Sequence, residues 1–113
     1  MCPADVYNTW QGFDIENVDV CDGSPDMFIQ HLRNLFPNEN EYEWNLKWLA
    51  HIVQKPGVKT GVCTTLISGM GAGKTILFDK LMSKLLGKYY AITGNPENDL
   101  FAKHAEFRNS KLL

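Results

Sequence analysis

The chain reads as α/β, with an N-terminal helical hairpin in front of an incomplete parallel sheet built around one glycine-rich loop. Three observations predict this. Two stretches with helical apolar spacing, residues 24–36 and about 41–54, each end at a proline turn. An apolar, partly β-branched run, Gly61-Val62-Cys63-Thr64-Thr65-Leu66-Ile67, reads as a strand. The octet Ser68-Gly69-Met70-Gly71-Ala72-Gly73-Lys74-Thr75 follows it and opens a third helical pattern from Ile76 to Leu86. Residues 1–57 thus form an aromatic segment and hairpin, and residues 58–113 form the core around the loop.

Strand, glycine loop, lysine, hydroxyl and helix, in that order, is the layout of a phosphate-binding P-loop. A loop that wraps a triphosphate turns several backbone N–H groups inward, through angles and approaches that side chains block. Gly69, Gly71 and Gly73 meet that need. The helix beginning near Gly73 adds free N–H groups and the positive end of its dipole. Lys74 is expected to reach the β- and γ-phosphates, and Thr75 to hold Mg²⁺ through its hydroxyl. One slot departs from GxxxxGK[ST]: Ser68 stands where the first glycine is usual. Serine is small, so the loop is expected to survive. The whole octet, with Met70 and Ala72, is the expected nucleotide site.

Composition bounds the rest. The 113 residues allow one small domain, and 44% hydrophobic content with three tryptophans suits a globular fold. A net charge of −2 supplies no global basic field for nucleic acid. Cys2, Cys21 and Cys63 are odd in number and widely spaced, which argues against a disulfide framework or a zinc site and suits a reducing, intracellular compartment. No apolar run is long enough to span a bilayer.

Tyr7-Asn8-Thr9-Trp10-Gln11-Gly12-Phe13 is expected to dock its rings on the domain body. Asp14, Glu16, Asp19 and Asp22 read as a solvated face. Ser24 is the expected N-cap of the first helix, with Pro25 in its first turn. Met27, Phe28, His31, Leu32, Leu35 and Phe36 share its inner face, His31 as a packed histidine. Tyr42, Asn45, Leu46, Leu49, Ile52 and Val53 line the second helix, with Trp48 and His51 beside the stripe, and Lys55-Pro56-Gly57 stops it. Gly87 is placed to end the helix after the loop. Lys88–Thr93 reads as a second strand and residues 99–107 as a short helix with Leu100, Phe101, His104 and Ala105 inward. Lys111-Leu112-Leu113 reads as the start of a third strand.

Three of these pieces together resemble a known family. Tyr7-Asn8-Thr9-Trp10-Gln11-Gly12-Phe13, then Trp48-Leu49-Ala50-His51-Ile52-Val53-Gln54-Lys55-Pro56-Gly57, then the loop octet are similar to the primase-associated helicase domain of viruses, phages and plasmids, the poxvirus-type primase-helicase branch of superfamily 3. The likeness covers nearly the whole chain. It implies an ATP-driven DNA-unwinding motor that assembles as a ring hexamer, with an arginine finger from a neighbouring subunit. A primase-polymerase domain in the same polypeptide is also implied. By position, Ser68, Gly71, Gly73, Lys74 and Thr75 correspond to Walker A, and Asn109-Ser110-Lys111-Leu112-Leu113 resembles the lead-in to Walker B.

The departure concerns catalysis. Family members continue that strand to paired carboxylates that hold Mg²⁺ and orient water. No Asp or Glu follows Glu106 here, and only Asp79 or Asp99 is left as a substitute. The expectation is therefore ATP and Mg²⁺ binding without hydrolysis by this chain alone, and no catalytic residue is assigned. A stand-alone nucleotide-binding or interaction module is the alternative. A small P-loop kinase needs an arginine-rich lid, and only Arg33 and Arg108 occur. A half-built sheet leaves an unpaired edge, so marginal stability is expected of the 113-residue chain.

Overall fold

A computed structural model describes residues 10–19 and 22–101. Helix α1 spans Asp26–Leu35 and α2 spans Glu39–Gln54. After the loop, a wide-turned π-type helix covers Ile76–Met82 and continues as regular helix α3 over Ser83–Leu86. Single 3₁₀ turns occupy Asp14–Asn17 and Gly87–Tyr89, and a second wide-turned helix covers Glu97–Phe101.

The expected α/β architecture is corrected here. No strand forms among the described residues, and the structure is helical. The run 61–67 enters the loop without a partner strand. Its intended neighbour, Lys88–Thr93, begins inside the 3₁₀ turn Gly87–Tyr89, and the rest of it has no regular structure. The cause is a competing contact: Tyr89 is buried against the N-terminal aromatics, which turns the chain away from a ladder. An isolated run of strand-forming residues has no ladder hydrogen bonds to hold it extended. The unpaired run leaves apolar surface open, with Val62 half exposed and Ile67 almost fully so. The radius of gyration, 15.9 Å, exceeds the roughly 13 Å of a compact chain of about 100 residues. Lys111-Leu112-Leu113 lies outside the described residues, as do Tyr7, Asn8, Thr9, Cys2, Cys21, His104 and Ala105.

What replaces the sheet is one apolar core between helices. Leu32 of α1, Leu77 and Met82 of the wide-turned helix and Leu86 of α3 are almost completely buried. Phe13, Phe36, Tyr42, Leu49, Ile52 and Tyr89 complete the cluster. The inner faces read from the sequence are largely those observed. Met27 departs: it is 85% exposed, while its neighbours Phe28 and Ile29 pack against the core. Phe101 is likewise exposed.

The N-terminal aromatics do pack on the body. Trp10 stacks on Tyr89 with ring centroids 4.6 Å apart, and Phe13 meets both rings edge-on at 5.0 and 6.0 Å. The Tyr89 hydroxyl accepts the Gln11 N–H at 3.3 Å, and Lys88 Nζ donates to Gln11 Oε1. Glu16 turns its carboxylate onto the Phe13 N–H at 3.0 Å, so this member of the acidic run serves the local turn.

Helix ends follow side-chain chemistry. Ser24 Oγ accepts the Asp26 N–H at 3.2 Å, although α1 starts one residue later than its spacing suggests. Asn38 caps α2, its Oδ1 accepting from Asn40 at 3.0 Å and Glu41 at 3.3 Å. This cap starts α2 two residues before the expected Glu41. Arg33 ties the two helices, bonding Glu39 at 3.0 Å and covering the Tyr42 ring at 4.2 Å. Loss of an N-cap costs about 0.5–2 kcal/mol. Asn38→Ala is therefore expected to lower stability in urea titration by that amount, and Asn38→Asp to restore most of it.

Candidate functional site

The loop octet forms a concave site of its own. Residues Ser68 to Ile76 line one cavity of about 460 Å³. Gly71 and Gly73 take φ of +79° and +96°, a region that L side chains rarely adopt. Gly69 also has open space around it but no positive φ. Thr75 stands at the head of the helix as its N-terminal flanking residue. Met70 is fully exposed at the loop tip.

Lys74 folds back over the loop. Its ammonium donates to the Gly69 carbonyl at 3.3 Å, to the Ser68 carbonyl at 3.5 Å and to Ser68 Oγ. Three oxygens thus engage an ammonium that has three hydrogens to give. Ser68, the departure from the usual glycine, supplies two of the three. The site is accordingly a backbone concavity with a cation on its rim, a surface suited to an anion. Within it, Lys74 would exchange these carbonyls for phosphate oxygens, and Thr75 would offer a hydroxyl to a cation carried by the phosphates. Among the described residues no group of three carboxylate, imidazole or thiol side chains could hold a metal without such a ligand.

A second cavity, about 360 Å³, adjoins the first through Ser68 and Lys74. Phe36, Trp44 and Asn45 form its helical wall and Thr64–Ile67 the opposite one. Trp44 lies nearly parallel to Trp48, 6.3 Å away.

Helix α1 braces the loop from behind, a contact the sequence spacing does not reveal. His31 Nε2 lies 3.0 Å from the Gly73 carbonyl across 42 residues of chain. His31 is thus a packed histidine, as its position on the inner face suggests, with the loop as its partner. His51 also finds a carbonyl: its Nε2 is 2.8 Å from Val58 O, which secures the turn after α2. The only cue to either was a histidine on or beside an apolar stripe.

Of the two candidate substitutes for a catalytic carboxylate, Asp79 is not placed at the loop. Asp79 is absent from the cavity lining and accepts the Tyr90 hydroxyl at 3.2 Å. The Asp99 side chain lies outside the described ones.

Comparison with protein-family models, with curated proteins and with solved structures finds no match.

The Asp79–Tyr90 pair makes a pH prediction. Burial raises the Tyr90 phenol above its ordinary value of 10.0, and the hydrogen bond and the negative charge of Asp79 raise it further. A raised pKa means that the folded state favours the neutral phenol. The resulting stabilisation is complete below the ordinary tyrosine range and is lost as pH rises through the raised value. In a phenolate absorbance titration, the component removed by Tyr90→Phe should lie above the ordinary tyrosine range. Asp79→Asn should bring it only part of the way back, because burial, the largest cause, persists.

Proposed function

We propose that this chain binds ATP together with Mg²⁺ at the Ser68–Thr75 loop, as the nucleotide-binding portion of a superfamily 3 type DNA helicase, without hydrolysing ATP by itself. The supporting observation is the loop's own geometry: two glycines at positive φ and the Lys74 ammonium around a single concavity of about 460 Å³. A lysine beside such a hollow suits the charge of a triphosphate, and free N–H groups at a helix start are partners such a group takes. Lys74 would neutralise phosphate charge, and Thr75 would place a hydroxyl on the metal that the nucleotide brings. When bound, that metal would lower the charge repulsion within the triphosphate.

The helicase assignment rests on motif arrangement. Trp10-Gln11-Gly12-Phe13 packs at the far end of the helix that leaves the loop, through Tyr89. Gln54-Lys55-Pro56-Gly57 closes α2 ahead of the run that enters the loop. Both flanking motifs are thus tied to the loop's own framework. In this reading DNA is the partner of the complete enzyme, a ring of six copies is its working form, and a primase-polymerase domain belongs to the same polypeptide. What supports the non-hydrolysing reading is that residues 68–76, which line the cavity, contain no carboxylate; the carboxylate of the adjoining cavity, Glu41, stands on α2.

The test is titration of a fluorescent ATP analogue with and without Mg²⁺, alongside a phosphate-release assay. Saturable binding without turnover is expected. Lys74→Ala should weaken binding by more than about tenfold, the value of a hydrogen bond to a charged group, with an unchanged circular dichroism spectrum. Equal binding by Lys74→Ala would refute the assignment of the loop. Turnover that depends on Lys74 would refute the non-hydrolysing part alone.

A further inference from the structure

We propose that His31 is a positioning residue for the phosphate loop: its ring holds the Gly73–Lys74 peptide in the orientation that nucleotide binding requires. The inference rests on the reading of Ser68–Thr75 as a nucleotide site.

Three observations converge on one peptide. First, His31 Nε2 is 3.0 Å from the Gly73 oxygen. A carbonyl only accepts, so Nε2 carries the hydrogen and donates it. Second, the ring occupies the space a side chain at 73 would need. A Cβ built on Gly73 would lie 2.6 Å from His31 Cε1 and 3.1 Å from Nε2. Third, Gly73 has φ of +96° and its carbonyl also accepts the Leu77 N–H at 3.3 Å. Gly73 is therefore the joint at which loop becomes helix, and His31 grips it from α1.

The consequence follows from peptide geometry. The peptide unit is planar and trans, so its C=O and N–H point in opposite directions. Turning the Gly73 carbonyl towards His31 turns the Lys74 N–H away from it. That N–H belongs to the first turn of the helix, where N–H groups lack a carbonyl from a preceding turn. Such groups are the ones a phosphate at a helix start engages. Leu32, the next residue of α1, is completely buried, so the element that carries His31 is anchored in the core. A rigid donor on an anchored helix removes a rotation that the glycine at 73 would otherwise permit.

A purely structural histidine and a positioning one differ in which replacements rescue them. His31→Gln keeps an N–H donor at similar reach, whereas His31→Phe keeps a ring and removes the donor. Each is titrated with the fluorescent ATP analogue beside the wild-type chain and Lys74→Ala, and each is unfolded in urea. The expected result is binding about 3- to 10-fold weaker for His31→Phe, the worth of one hydrogen bond, and near wild-type binding for His31→Gln. The unfolding midpoints of the two variants should not follow that order. Wild-type affinity in His31→Phe, or equal weakening in both variants, overturns the role of His31 and leaves the loop assignment standing if Lys74→Ala still binds more than about tenfold more weakly. If the wild-type chain binds no nucleotide, the loop assignment falls and this inference falls with it. Should His31→Phe not fold, His31→Asn replaces it, being too short to reach the Gly73 carbonyl.

Discussion

The structure depends on the burial of one helical face, that of the helix leaving the loop, against α1 and α2. Leu77, Met82 and Leu86 on that face and Leu32 on α1 are the most deeply buried side chains of the described residues. Each removes about 1.5–3 kcal/mol worth of apolar surface from water. This contact fixes where the loop can be, because the loop joins directly to Leu77 through Ile76, Thr75 and Lys74. It also explains why a helical arrangement holds without a sheet: most of the buried core comes from the helices, and from 61–67 only Leu66, partly buried, packs against it.

The same core sets the character of the candidate site. Behind the loop, α1 presents His31 to the Gly73 carbonyl. In front, no other described element lines the loop's cavity, and Met70 and Ile67 are almost fully exposed. Among the described residues the site is thus braced on one side and open on the other. Residues 68–76, which line its cavity, include no carboxylate; Glu41 lines the adjoining cavity that shares Ser68 and Lys74.

The N-terminal segment has a mechanical part in this arrangement. Trp10 and Phe13 clasp Tyr89 just beyond Gly87, where a φ of +53° ends α3. Asp14 comes close to the same glycine, with a Cβ there meeting its Oδ2 at 3.3 Å. The helix is thus held at its beginning by His31 and at its end by the aromatic clasp. The clasp also has a cost in architecture, since it turns Tyr89 inward at the point where a second strand was expected to start.

Local chemistry was legible in the sequence by itself. The helical faces of α1 and α2, the stop at Lys55-Pro56-Gly57, the glycine at 87 and the loop octet all follow from spacing and residue type, because each depends on neighbours within a few positions. The Asn38 cap was missed, because Pro37-Asn38 reads as the end of α1 and the second helix as starting at about Glu41. Tertiary structure alone decided the rest. Whether 61–67 becomes a strand depends on a partner far along the chain, and Tyr89 went to Trp10 instead. That His31 meets Gly73, or His51 meets Val58, depends on how helices lie against loops. A periodic pattern marks which face turns inward, but only packing determines what that face will touch.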